Sequence, residues 1–132
     1  MQEPEGAPPQ DREILRPASN SRVVEQDQAT GETTLRIVDD FGETRDKAHG
    51  LATGSIGRET YRILPDDPLS ARMDTHWTET LRRDDWSVRT ETTTVQTADR
   101  DNFHIVARLE AYEGERLIFS RDWDETVPRD FQ

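Results

Sequence analysis

The stretch Trp86-Ser87-Val88-Arg89-Thr90-Glu91-Thr92-Thr93-Thr94-Val95-Gln96-Thr97 decides the fold class. Its threonines and valines branch at Cβ, which crowds a helix and suits a pleated sheet. Working outward, three segments of similar character surround it: Ala71–Leu81, Phe103–Tyr112 and Arg116–Asp124. Short polar turns divide them, namely Arg82-Arg83-Asp84-Asp85, Ala98-Asp99-Arg100-Asp101-Asn102 and Glu113-Gly114-Glu115. The pattern predicts a four-stranded antiparallel meander. Pairing Leu81 with Trp86, Thr97 with Asn102 and Ala111 with Leu117 gathers Met73, Trp77, Ile105, Leu109, Phe119 and Trp123 on one face. The other face then receives His76, Arg89, Glu91, Arg108 and Glu110, with opposite charges on neighbouring strands. A competing reading exists for the first segment. Leu69, Met73, Trp77 and Leu81 recur every four residues behind Asp67-Pro68, which would start a helix over 69–81 and make the class α+β. The hairpin spacing into Trp86 favours the strand.

Upstream, Arg22–Gln26 and Thr33–Val38 flank Ala29-Thr30-Gly31 and predict a hairpin that ends at Asp39-Asp40-Phe41-Gly42. Residues 43–57, with Gly50, Gly54 and Gly57, read as a long loop; Ile56–Leu64 follows as a strand, stopped by Pro65-Asp66-Asp67-Pro68. Residues 1–20 hold Pro4, Pro8, Pro9 and Pro17 and read as an extended arm or linker. The expectation is therefore an arm over 1–20 and one all-β domain over 21–132, an antiparallel β-sandwich or partly open barrel built around the C-terminal meander.

With 31% apolar residues and a formal charge of −11, composition alone resembles that of disordered chains. Three mutually consistent hairpins outweigh it. The acidic excess repels phosphate backbones and anionic lipid surfaces, so neither nucleic acid nor membrane is an expected partner. No apolar run approaches the roughly 20 residues of a membrane helix. Met1-Gln2-Glu3-Pro4-Glu5 has neither a basic nor an apolar leader segment, and a cytoplasmic location is expected. There is no cysteine, which removes disulfides, thiolate metal sites and thiol nucleophiles. Lys47 is the only lysine, an arginine bias that fits a GC-rich bacterial source.

No motif assembles a reaction centre. Asp40-Phe41-Gly42 imitates a kinase metal-binding triplet without the rest of that machinery, and reads as a turn. Gly54-Ser55-Ile56-Gly57 lacks the spacing of a nucleophile elbow. His49, His76 and His104 fall on separate elements, so they do not predict a zinc site. The pairs Asp39-Asp40, Asp66-Asp67 and Asp84-Asp85 read as turn residues rather than a glycosidase couple. Asp99-Arg100-Asp101-Asn102 is oxygen-rich but lacks the glycine and distal glutamate of a calcium loop. Trp77, Trp86 and Trp123 read as packing residues before a stacking platform. Neither a catalytic residue nor a cofactor is expected.

As a set, several phrases resemble the C-terminal end of bacterial CocE/NonD-type hydrolases, a family similar to the X-Pro dipeptidyl-peptidases and cocaine esterase. They are Ile63-Leu64-Pro65-Asp66-Asp67-Pro68-Leu69-Ser70-Ala71-Arg72, Arg83-Asp84-Asp85-Trp86-Ser87-Val88-Arg89-Thr90-Glu91-Thr92, Asn102-Phe103-His104-Ile105, Leu109-Glu110-Ala111-Tyr112-Glu113-Gly114 and Trp123-Asp124-Glu125-Thr126-Val127-Pro128-Arg129-Asp130. The resemblance runs from about Arg22 to the end. In that family an α/β-hydrolase domain carries a Ser-Asp-His triad and a β jelly roll follows it. The resemblance implies a non-catalytic accessory β domain whose partner is an α/β-hydrolase catalytic domain, with homo-oligomer contacts as a further role. A free-standing β module for an apolar or carbohydrate ligand is the alternative.

Overall fold

A computed structural model describes residues 6–130. Among them eight strands form one sheet: β1 (Arg12–Arg16), β2 (Ser19–Gln26), β3 (Thr33–Asp46), β4 (Ala52–Leu64), β5 (Asp67–Arg83), β6 (Trp86–Ala98), β7 (Asn102–Glu113) and β8 (Arg116–Pro128). All pairings are antiparallel. Strands β3 to β8 lie side by side in chain order, while β1 and β2 share the outer edge of β3. The fold is all-β, as the sequence predicts, and it is one open sheet with no second sheet facing it among the described residues. Residues 69–81 belong to strand β5, not to a helix.

Three boundaries differ from the sequence reading. Within the expected arm, residues 12–16 form β1, with Ile14 opposite Thr44 and an ion pair between Glu13 and Arg45 at 3.1 Å. Pro17 falls between β1 and β2, where no ladder bond is needed, so proline does not keep this segment out of the sheet. Strand β3 does not stop at Gly42. It passes through an irregularity between Asp40 and Glu43, where Gly42 takes φ 76° and donates its N–H to Asp40 Oδ1 at 2.8 Å. The supposed loop 43–57 thus consists of the end of β3, a turn over 47–51, and the start of β4. Its glycines serve close packing: a Cβ on Gly57 would lie 2.7 Å from the Trp77 ring, and one on Gly54 would lie 2.7 Å from Thr80 Oγ1.

The meander is present with a shifted register. Leu81 faces Val88, Thr97 faces His104 and Ala111 faces Phe119, each two residues from the predicted partner. In the first hairpin the cause is the turn: Asp84 adopts φ 52°, so Asp84-Asp85 alone reverses the chain and Arg83 pairs with Trp86. A slip of two preserves the faces where a slip of one would exchange them. Rows Leu35–Tyr61–Met73–Gln96–Ile105–Glu125 and Asp39–Gly57–Trp77–Thr92–Leu109–Arg121 therefore lie on one side. The row Val38–Arg58–His76–Thr93–Arg108–Asp122 lies on the other.

The second side is an ion-pair lattice. Asp74 is held by Arg62 at 3.0 Å and Arg72 at 2.7 Å; Glu91 meets His76 at 2.6 Å and also Arg89. Arg108 pairs with Glu110 at 3.0 Å and Asp122 at 3.2 Å rather than with Glu91. Burial pushes the Glu91 carboxyl up, but hydrogen bonds from Thr78, Arg89 and His76 outweigh it and hold the group below its ordinary value. Such half-exposed pairs each contribute about 0–1 kcal/mol, so this side is stable in water without being a core.

The apolar side has no cover. Ala52, at 2% exposure, is the one buried apolar side chain among the described residues, while Phe119 is 52% exposed. Accessible surface totals 9974 Å². A compact monomer of this mass would expose about 7,100 Å², so the whole chain, the segment before β1 included, exposes roughly 2,900 Å² more.

Candidate functional site

The largest chemical feature is the apolar face itself, which is concave. Leu35 on β3 and Phe103 on β7, four strands apart, line the same hollow of about 460 Å³ together with Tyr61, Ile63 and Met73. Toward the opposite strand ends, Phe41, Thr53, Ser55, Leu81 and Val88 line a second hollow of about 490 Å³. The row containing Trp77 lies between them. Trp77 spreads over Gly57 and stacks on Phe41 with centroids 6.2 Å apart and planes 20° from parallel. Glycine at 57 is what lets the indole lie close to the sheet.

Two carboxylates flank this ridge. Glu59 accepts a hydrogen bond from the Tyr61 hydroxyl at 2.5 Å, which raises the Tyr61 pKa. Glu79 accepts one from Ser55 Oγ at 2.8 Å. Among the described residues neither forms an ion pair, in contrast to Asp74, Glu91 and Glu110 on the other side. Glu59 faces Thr75 and Glu79 faces Ser55, an offset of four residues on adjacent strands. Strand spacing puts their backbones about 14 Å apart, and each leans toward its own hydroxyl. A glycosidase couple needs about 5–9.5 Å, so these two do not form one. Ser55 has a carboxylate beside it and no imidazole; His76 is on the opposite face.

The residues singled out from sequence scatter. His49 sits in the turn after β3, 3.4 Å from Asp46. His76 joins the ion-pair lattice, and His104 bonds Asp99 at 2.7 Å and Thr126 at 3.4 Å. No three of the described His, Asp and Glu side chains converge as a metal site would require. Asp39-Asp40 is a strand pair and not a turn: Asp39 points to Arg22 at 2.9 Å, and Asp40 to Arg16 on the other side. The Arg16 guanidinium, then the Gly42 N–H, hold the Asp40 carboxyl below its ordinary value. Asp99 is occupied locally. His104 and the N–H groups of Asp101 and Asn102, both at 2.8 Å, bring its pKa down to about 2. Arg129 then closes the end of β8 onto this turn, donating to Asp99 O at 2.9 Å.

The tryptophans do not form one platform. Trp77 and Trp123 share the apolar face but stand three strands apart, about 14 Å in a sheet. Trp123 is capped by Arg121 at 4.8 Å, and Trp86 lies at the turn beside Arg83. Sequence reasoning missed Phe41, Ser55, Glu59 and Tyr61 as one surface because Phe41 reads as part of a turn and Ser55 as part of the loop 43–57, which leaves Glu59 and Tyr61 on a strand with no placed neighbour. Alternation of Thr53, Ser55, Gly57, Glu59 and Tyr61 was the available signal. Comparison with family models, curated proteins and solved structures gives no match for this chain.

Proposed function

We propose that this chain is a non-catalytic accessory β module of a CocE/NonD-type serine hydrolase, seated by its apolar face on the catalytic domain. The observation that carries the reading is the contrast between the two faces. One side pairs its charges internally and suits water, while the other leaves Leu35, Tyr61, Met73, Trp77, Leu109 and Phe119 on a concave, uncovered surface. Uncovered apolar surfaces of this size mark interaction sites. In this role the module shapes substrate access or subunit contacts and contributes no reacting group. The test mixes the purified chain with a CocE/NonD-type catalytic domain lacking its own β domain. A one-to-one complex by light scattering, with no ester or X-Pro peptide turnover by the chain alone, is the expected result. Failure to associate, or turnover abolished by a serine-directed covalent inhibitor, refutes it.

The hollow of about 460 Å³ beside Phe103 supports a second reading, a small-molecule binding module, since apolar pockets of about 300–1,000 Å³ hold drug-sized ligands. Saturable uptake of an apolar fluorophore, abolished by Met73→Lys, distinguishes it.

A further inference from the structure

We infer that the free chain pairs with a second copy of itself, apolar face against apolar face, each copy supplying the second layer of the other. The inference goes beyond docking on a hydrolase and does not rest on it. Both contacts use one face, so the pair has to part before a catalytic domain can bind.

Area comes first. A sheet with an apolar face is stable when a second layer covers it. Among the described residues this chain offers a single sheet, with Ala52 its one buried apolar side chain. The six strands β3 to β8, taken over the length from Met73 to Leu81, make a panel of about 29 by 26 Å, or about 1,500 Å² for two copies. Stable interfaces bury about 1,200–2,000 Å² in total, so the panel is large enough. Relief suits the contact. The Trp77 row stands between hollows of about 490 and 460 Å³, and a two-fold axis in the contact plane sets each ridge over a hollow of the other copy. Facing sheets of β-sandwiches pack in this aligned way.

Charge selects both the face and the occupant. The chain carries a formal charge of −11, and copies repel one another over most of their surface. The middle of the apolar face is exempt: β6 presents Thr92, Thr94 and Gln96 there, and β7 presents Ile105, Leu109 and Ala111. Its glutamates have arginines of the same chain near them, since Arg22 shares the row of Glu59 and Arg12 lines the same hollow as Glu79. A face balanced in this way demands no excess of either sign from its partner, and a copy of itself brings none.

Sedimentation equilibrium of the full chain over a concentration series provides the test. The chain should run as a monomer–dimer equilibrium, and its melting temperature should rise with concentration. Thr92→Glu places a charge on the apolar face and should weaken the dimer about tenfold or more; Thr93→Glu, the next residue on the opposite side, should leave it within about threefold. A Trp86→Phe/Trp123→Phe variant keeps Trp77 as its one indole and reads the face without adding a charge. Its emission should move to shorter wavelength as the dimer forms. A monomer at every concentration, equal weakening by both glutamate variants, or a dimer that leaves the Trp77 emission unchanged overturns the inference. No hydrolase is present in these measurements, so their outcome is separable from that of the complex with a catalytic domain.

Discussion

Replacing Gly42 by alanine should destabilise the sheet edge more than the same change at Gly50, and the comparison isolates one physical cause. Both glycines hold nearly the same left-handed backbone, φ 76° at Gly42 and 74° at Gly50. An L side chain there costs about 1–2 kcal/mol, a penalty common to both positions. Surroundings separate them. A Cβ at Gly50 meets nothing within 4 Å, whereas at Gly42 it falls 2.5 Å from Arg16 O, 2.9 Å from Ala18 N and 3.0 Å from Pro17 C. All three are backbone atoms of the β1–β2 junction, so no side chain can rotate to relieve the overlap. Restoring van der Waals distance requires the edge to move by nearly 1 Å, an overpacking of about 1–3 kcal/mol. Gly50→Ala should therefore cost about 1–2 kcal/mol and Gly42→Ala about 2–5 kcal/mol. Equilibrium urea unfolding measures both, with the slope unchanged if only the native state is affected. Hydrogen exchange should show the extra loss at residues 12–16. Equal costs, or a milder effect at Gly42, would refute the argument that close approach of β1 and β2 is what requires glycine there.

Two further outcomes follow from the geometry. Gly57→Ala puts a methyl 2.7 Å from two Trp77 ring atoms, so the indole must lift from the sheet; in a Trp86→Phe/Trp123→Phe background the emission should shift to longer wavelength, and an unchanged spectrum contradicts the packing described. The Asp99 carboxyl is depressed to about 2, chiefly by His104 and then by the Asp101 and Asn102 N–H groups. Its contribution is thus complete above the unfolded carboxyl value near 3.9 and is lost as pH falls through about 2. Thermal melts between those values should show a shallower acid limb for Asp99→Asn than for the parent; parallel limbs would remove Asp99 from the account.

The strand-forming run over 86–97 made the meander legible because β-branching and alternation act locally. The faces survived a wrong register because every error was an even number of residues. What local chemistry does not announce is the use of a backbone conformation. Asp84 at φ 52° shortens a turn that composition alone made four residues long. Gly54 and Gly57 look like loop markers until Thr80 and Trp77 are seen to lie over them. Pro17 suggested an arm because its role as a joint between two edge segments depends on β3, about 25 residues downstream. The two hollows were hidden for the same reason: one gathers Leu35 and Phe103 and the other Phe41 and Val88, residues far apart in the chain.

Chain-order pairing from β2 to β8 also shapes how the protein reaches its native state. Each of these hairpins closes through a short connection, so no strand has to wait for a distant partner before it can zip. All-β sandwiches with crossed connections fold slowly because long loops must close first. Here folding can begin at any one hairpin and spread outward by adding neighbours, much as in linear repeat arrays. The meander end, β5 to β8, carries the densest β-branched sequence and the tightest turns, and is the natural starting point. Strand β1 pairs only with residues 43–46, so it can join once β3 has formed the bend at Gly42 that receives it.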